Sequence, residues 1–316
     1  MYKKLLISGV AASVLFVGVA QNIYAANDFK PKEEIFLQGA DLNENQLEAT
    51  KDKLGVGKSV TTYQVTNTDV IRYTGTEYDY IHSSALIKPK RFGHGVDVKI
   101  ETPENITRIT KEQYMNAAIT SGIQDATIRI ASIDQVTGEG ALTGIYKAYE
   151  SQGNALNSQD IQNAHSELND LARISENNAN KEGYSDEALN EAIADMKAQI
   201  AEAKASDQQI NDVTINNIVN QTLNVRGLDN VLSNNEIAVI QNMMMNVAQS
   251  EVLNQDPEAY QKQANELKDT IQKTAGDKLE ALKSLDNEET RNFLQRLWDE
   301  FVSFITKIWH WLVSFV

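Results

Sequence analysis

The chain has 316 residues, with 29 lysines and arginines, 44 aspartates and glutamates, no cysteine and a formal net charge of −15. Such an acidic chain repels nucleic acid, whose phosphates require a basic surface, so no nucleic-acid partner is expected. Because cysteine is absent, no disulfide framework can form, and stability must come from the burial of apolar side chains.

The N-terminus has the pattern of a secretory signal peptide. Two lysines precede a short apolar run at 5–20, and the sequence IYA at 23–25 then supplies a cleavage site of the aliphatic-x-Ala kind. Residues 1–25 are therefore predicted to be a signal peptide, and the mature chain is predicted to begin at Ala26. Its net charge is −17, because cleavage removes two lysines from a chain of net charge −15. An uncleaved anchor is the alternative, but the apolar run is short for a membrane span.

The next part of the chain predicts a small α+β domain. Residues 26–40 are interpreted as a loose leader, and 41–155 as the domain itself. Thr110 and Gln113 form a capping box that opens a helix, and Asn43 is the expected N-cap of an earlier one. Strand composition, rich in β-branched residues and bounded by Gly or Pro, occurs at 59–65, 80–89, 95–101 and 125–133. This alternation of strands and helices predicts a sheet covered by helices.

From 156 to 286 the pattern predicts an all-α helical domain. The charged residues of 182–212, which include Lys197 and Lys204, are interpreted as solvated helix faces, and the methionines at 243–245 as core. An apolar seam at helical spacing is formed by Tyr260, Ala264, Leu267 and Ile271. The helices are predicted at 158–181, 185–205, 208–225, 234–249 and 257–285.

Several segments together resemble a known family. They are LQGADLNENQLEATKDKLGV, TNTDVIRYTG, HSSALIKPKRFGHGVDVKI and ENITRITKEQYMNAAITSGIQDATIRIASIDQVTGEGALTGIYKAYE, in this order. The run closely resembles the secreted "domain of unknown function 1002" family of Gram-positive bacteria, over roughly 38–155 and more loosely beyond, with the Trp-rich tail outside the resemblance. The resemblance implies an extracellular or envelope protein with no assigned activity.

No catalytic residue, metal site or cofactor is predicted. The four histidines lack metal-ligand spacing, and the nucleophile elbow and the P-loop are missing. The sequence TGEGALTG at 137–144 opens a helix after a strand, as phosphate-binding loops do. Its spacing is not the dinucleotide fingerprint and Glu139 would repel an anion, so the glycines are interpreted as a close contact between helix and strand.

The sequence KRFGHGVDV places three basic residues, Lys90, Arg91 and His94, close together in an acidic chain. It is interpreted as the turn of a hairpin, in which glycine supplies the positive φ. One alternative is a basic loop that binds an anionic ligand. The other is a catalytic His94 with Ser83 or Ser84 nearby.

Residues 287–316 are predicted to form an amphipathic aromatic helix. At 100° per residue, every apolar residue of 293–316 falls within an arc of about 200° and the polar residues fill the remainder. A membrane-spanning helix is disfavoured, because it needs about 20 apolar residues. The last 16 residues of the chain are interrupted by Lys307 and His310. The apolar face is predicted to lie on the membrane surface, with packing on the chain's own core, a partner protein or self-association as alternatives. The predicted contact residues are Trp298, Phe301, Phe304, Ile308, Trp309 and Trp311.

The sequence thus predicts a secreted, non-enzymatic binding or interaction protein of unknown ligand. We expect it to be peripheral on the outer face of the cytoplasmic membrane. Two alternatives stay open. One is a secreted hydrolase of cell-wall or extracellular polymer, with paired carboxylates or His94 and a serine. The other is a structural protein that forms a homo-oligomer through its C-terminal helix.

Overall fold

A computed structural model describes residues 31–92, 94–153 and 156–284. The strands of these residues are β1 Ile35–Gly39, β2 Thr61–Val65, β3 Ser84–Pro89, β4 Val96–Ile100 and β5 Ala126–Ala131. The helices that accompany the sheet are α1 Glu44–Leu54, α2 Asn67–Thr74, α3 Lys111–Thr120 and α4 Glu139–Ser151. The helices that follow are α5 Ser158–Asn178, α6 Asp186–Ala205, α7 Asp212–Val225, α8 Asn234–Gln249, α9 Glu251–Gln255 and α10 Pro257–Ser284. The α+β fold followed by helices is therefore as predicted.

The five strands form one mixed sheet in the order β2-β1-β3-β5-β4. β1 is parallel to β2 and antiparallel to β3, whereas β5 is antiparallel to β3 and parallel to β4. The two parallel pairs are each connected through a helix, α1 between β1 and β2 and α3 between β4 and β5, because parallel neighbours need a crossover.

Two sequence predictions about this sheet are wrong. The stretch 26–40, interpreted as a leader, contains β1, whose Ile35, Phe36 and Leu37 are almost completely buried between β2 and β3. Both faces of this strand are buried, so Ile35, Phe36 and Leu37 are consecutive apolar residues without the alternation that marks a half-buried strand. The strands at 80–89 and 95–101 do not form a hairpin either, because β5 lies between β3 and β4.

Alternation along β1 divides the sheet between two cores. Ile35 and Leu37 face the larger core, whereas Phe36 faces the opposite side and packs with Leu54 of α1 and Leu86 of β3. This division follows from the period of two residues in a strand. The larger core lies under α3 and α4 and continues into the helices that follow.

Helix α4 approaches the sheet closely because two of its residues are glycines. A Cβ atom at Gly144 would lie 2.9 Å from Val65 Cγ2, and one at Gly140 would lie 2.9 Å from Ser83 Oγ. The interpretation of TGEGALTG as a close contact between helix and strand is confirmed.

Several helices begin where the sequence predicts them, but the helix predicted from 208 begins at Asp212. Asn43, Thr110 and Ser233 each cap a helix, and each forms a capping box with the residue three positions later. The seam residues Tyr260, Ala264, Leu267 and Ile271 are all buried, with α10 packed against α6. The sequence changes from mixed to helical near residue 153, yet one contiguous cluster of buried residues extends from Ile35 to Ala275.

Candidate functional site

Asp125 holds both ends of the loop that carries Lys90, Arg91 and His94. Its carbonyl oxygen accepts a hydrogen bond from Lys90 N at 2.8 Å, and its Oδ1 accepts one from Gly95 N at 2.9 Å. Its Oδ2 lies 3.4 Å from His94 Nδ1. The backbone at Asp125 has a φ of 46°, a conformation that aspartate tolerates better than most residues. A single residue immediately before β5 therefore holds two backbone positions, Lys90 and Gly95, that lie thirty or more residues earlier in the chain.

This loop offers little free positive charge. Lys90 Nζ lies 3.0 Å from Asp97 Oδ2, so an ion pair already occupies that ammonium group. Arg91 makes no ion pair with a described residue, and Phe92 beside it is 88% exposed. The loop therefore presents one uncommitted guanidinium to an anion, rather than the basic cluster that the sequence indicates.

The structure separates His94 from the two serines proposed as its partners. Ser84 begins β3 and pairs with Ala131, whereas the His94 loop lies near Pro89 and Ala126 at the other end of that strand pair. The two ends are about 17 Å apart at the rise of a β-strand. Ser84 Oγ already accepts a hydrogen bond from Gly39 N at 3.1 Å. The interpretation of His94 with Ser83 or Ser84 as a catalytic pair is therefore wrong.

The start of α4 is filled by charged side chains of the protein itself. Glu139 is 2% exposed and its carboxylate accepts a hydrogen bond from Arg108 Nη1. The same Nη1 donates to Asn169 Oδ1 at 3.0 Å, and Asn169 Nδ2 lies 2.9 Å from His165 Nε2. Burial lowers the pKa of His165, with Glu139 opposing the shift. Because the buried Glu139 carboxylate already occupies this helix end and pairs with Arg108, an anion would be repelled here and this is not a phosphate site.

One opening in the described part of the chain lies between α5 and α8, beside the end of α3. It is a cavity of about 110 Å³. Its walls combine amide, hydroxyl and carboxylate groups with an apolar strip. The lining residues are Thr120, Asn163, Ser166, Glu167, Asp170, Val239, Asn242, Met243, Asn246 and Val247.

A fully buried ion pair lies beneath this cavity. Lys197 Nζ donates to Glu167 Oε1 at 2.6 Å and to the carbonyl oxygen of Asn116 at 2.8 Å, with both charged side chains 0% exposed. Thr120 Oγ1 donates to Glu167 Oε2 at 2.6 Å. Burial lowers the pKa of Lys197, and the nearby Glu167 opposes that shift. A buried, perturbed charge pair next to a concave surface is a common property of binding and catalytic sites.

Lys197 is the residue of this site that sequence reasoning misjudged. It was interpreted as part of a solvated face, but it is one of the most deeply buried side chains of the protein. A signal was present, because Ile193, Lys197 and Ile200 follow the i, i+4, i+7 spacing of a single helix stripe. The carboxylate partner lies on another helix, thirty residues earlier, so pairing could not be read from local spacing.

Other predicted sites lie outside the described residues. These are the signal peptide 1–25 and the tail residues Trp298, Phe301, Phe304, Ile308, Trp309 and Trp311. Within 31–284, none of the helices combines the length and apolar character that crossing a bilayer requires. Histidines and carboxylates of the same part of the chain form no group of three that could hold a metal ion.

Comparison with known proteins places these observations in a family. The uncharacterized protein YpuA of Bacillus subtilis (strain 168) is 29% identical, over 95% of this chain and 96% of its own length. No solved structure matches the chain. The model of a family described as "protein of unknown function (DUF1002)" matches residues 38–267, from the end of β1 into α10. The chain therefore belongs to the DUF1002 family, as the resemblance of its N-terminal segments indicates.

Proposed function

We propose that this protein is a secreted, non-enzymatic binding protein of the cell envelope, held on the outer membrane surface by residues 293–316. The observation that carries the proposal is the segregation of the tail in projection. Its apolar side chains occupy one arc of about 200° and its charged side chains the other. Three tryptophans and four phenylalanines among 24 residues favour the headgroup region, where amphipathic rings are stable.

The similarity to YpuA extends into the tail. The match to YpuA leaves 5% of 316 residues uncovered, about 16, which is fewer than the 24 of the tail. At least part of the tail therefore has a counterpart in that relative.

Co-sedimentation with vesicles tests the membrane contact. The mature protein, beginning at Ala26, is mixed with phosphatidylcholine or phosphatidylglycerol vesicles, beside a truncation that ends at residue 288. We expect the full tail to bring the protein into the pellet with both lipids, because Arg296 and Lys307 balance Asp299 and Glu300. Equal pelleting of the truncated and complete chains would contradict the proposal.

Two single substitutions give a matched control. Phe301→Glu places a charge at the centre of the apolar arc, whereas Ser303→Glu places the same charge about 200° away, within the polar arc. We expect Phe301→Glu to lower the bound fraction and Ser303→Glu to leave it nearly unchanged. If the wild type and Ser303→Glu elute as a large oligomer without lipid, whereas Phe301→Glu elutes as a monomer, the tail is a self-association helix instead.

Secretion has its own measurement. The N-terminal sequence of protein recovered from the culture medium or the cell surface is expected to begin at Ala26. Retention of residues 1–25 on a membrane-bound protein would show an uncleaved anchor.

A further inference from the structure

We propose that the cavity between α5 and α8 binds a neutral, polyhydroxylated ligand, one ring of a saccharide, through the asparagines at its rim. This inference concerns a different part of the chain from the tail and does not depend on membrane attachment.

The charges around the cavity favour a neutral ligand. Glu167 is paired with Lys197, and Asp170 Oδ1 accepts from Arg173 Nη2 at 2.5 Å. A cationic ligand would gain little, because both carboxylates already have a positively charged partner. An anionic ligand would be repelled by the carboxylates, and the lining residues include no lysine or arginine to bind it. What the cavity offers is hydrogen bonding without net charge.

Hydrogen-bonding groups lie in two rows, one on each side of the cavity. Asn163, Ser166 and Asp170 follow the spacing i, i+3, i+7 along α5, and Asn242 and Asn246 are one turn apart on α8. An asparagine amide can donate and accept at once, so a pair of them matches the vicinal hydroxyls of a sugar.

The two asparagines of α8 have no evident structural role. Asn242 and Asn246 are exposed, and neither side chain has a hydrogen bond to a described residue. Asparagine is also less favourable than alanine in a helix interior, because its amide competes with the backbone for hydrogen bonds. Both amides are therefore free to bind a ligand at the rim of the cavity.

The apolar part of the lining complements the ring itself. Val239, Met243 and Val247 follow the spacing i, i+4, i+8 and form a strip along α8. A sugar ring carries C–H groups on its faces and hydroxyls at its edge. Val239, which is partly exposed, can contact a face while the amides bind the edge, and the buried Met243 and Val247 form the floor of the cavity. A cavity of about 110 Å³ between two helices takes part of one ring, with the remainder of a longer saccharide outside.

Titration calorimetry of the complete mature protein tests the proposal. The probes are glucose, galactose, N-acetylglucosamine and their β-linked disaccharides, with 1,4-diaminobutane and inorganic phosphate for comparison. We expect at least one saccharide to bind with a Kd on the order of 1 mM, and neither charged probe to bind at this site. If no saccharide binds up to about 50 mM, or if only diaminobutane binds, the proposal is overturned.

The variant pair Asn242→Leu with Asn246→Leu locates the binding. Leucine has nearly the shape of asparagine without its hydrogen bonds, and both positions are exposed, so folding should be retained and is checked by circular dichroism. We expect affinity to fall at least tenfold. Gln249→Leu, on the same helix but outside the lining, should bind as the wild type does. Unchanged binding by the double variant would overturn the assignment to this cavity.

Discussion

Lys197 Nζ lies 2.6 Å from Glu167 Oε1 at a point where both side chains are fully buried. The pair joins α6 to α5, and the bond from Lys197 to the carbonyl oxygen of Asn116 adds α3. Taking two charges out of water is costly, and the attraction between them roughly offsets that cost only if each keeps its partner. The pair therefore fixes how three helices pack, and the loss of one member should cost more than the loss of both.

Replacement of Lys197 by methionine is expected to be strongly destabilising. Glu167 would keep the Thr120 hydroxyl but lose its salt bridge with Lys197, and it would be left charged or forced to take up a proton inside the core. Breaking a buried pair from one side costs about 3–5 kcal/mol of unfolding free energy. Urea denaturation of Lys197→Met at neutral pH measures this loss.

The double variant Lys197→Met with Glu167→Met separates the pairing from the packing. Buried ion pairs replaced by apolar residues of similar volume are often neutral or more stable. We expect the double variant to recover most of the stability that the single change removes. If the double variant loses as much unfolding free energy as the two single variants together, Lys197 and Glu167 act independently, in conflict with the observed geometry.

A second prediction concerns the contact between α4 and the sheet. Gly144→Ala would place a methyl group 2.9 Å from Val65 Cγ2 and 3.3 Å from Leu37 Cδ1, both in the core. Overpacking of this kind costs about 1–3 kcal/mol, part of which the better helix propensity of alanine offsets. Thermal unfolding should therefore show a lower Tm for Gly144→Ala.

Gly276 provides the matched control for that change. It lies in α10, and a Cβ atom there would have no neighbour within 4 Å. Gly276→Ala is expected to raise the unfolding free energy by about 0.4–1 kcal/mol, because alanine favours the helix and restricts the unfolded chain. Equal effects at 144 and 276 would show that the contact with Val65 is not limiting.

Features that depend on residues close together in the sequence are predicted correctly, and features that depend on distant residues are not. The starts of helices at Asn43, Thr110 and Ser233 were predicted because a cap is decided within four residues. The strand order was not, because the insertion of β5 between β3 and β4 joins segments about forty residues apart. A hairpin is the simplest local expectation for β3 and β4, and only the tertiary pairing overrides it.

The same difference applies to the candidate sites. Lys90, Arg91 and His94 attract attention as a basic loop, but Asp97 and Asp125 hold two of these three residues in ion pairs or close contacts. Lys197 is not predicted to be a site residue, because a lysine in a charged helix usually faces water. Its burial depends on the packing of α6 between α10 and the helices of the core, which no single segment encodes.

Asp125 contacts both Lys90 and Gly95, and this pair of contacts, called here the Asp125 clamp, leads to a third prediction. In Asp125→Ala the amide of Gly95 loses its acceptor, and the loop from 90 to 95 loses one of its fixed ends. A net hydrogen bond to a charged acceptor is worth about 1.5–3 kcal/mol, so amide exchange at Gly95 should accelerate at least tenfold. Hydrogen exchange followed by NMR gives the rate at that amide.

Asp97→Ala is the comparison for this experiment. Asp97 forms a pair with the ammonium of Lys90 and is half exposed, and such pairs contribute less than about 1 kcal/mol. Exchange at Gly95 should be nearly unchanged in this variant. Similar acceleration in both variants would indicate general loosening of the sheet edge rather than a specific clamp.

The fourth prediction is a pH dependence due to His165. Burial lowers its pKa below the usual 6.5, Arg108 adds to the shift, and Glu139 opposes it. As pH falls below about 6.5, the unfolded chain binds a proton at this histidine that the folded chain does not. The unfolding free energy should therefore decrease on acidification, by up to about 1.4 kcal/mol per pH unit, until the folded-state pKa is reached.

His165→Gln keeps an acceptor for Asn169 Nδ2 but cannot titrate. Urea unfolding of both proteins between about pH 7.5 and 5.5 should thus give a steeper loss for the wild type. Parallel curves would mean that protonation of His165 is not linked to folding.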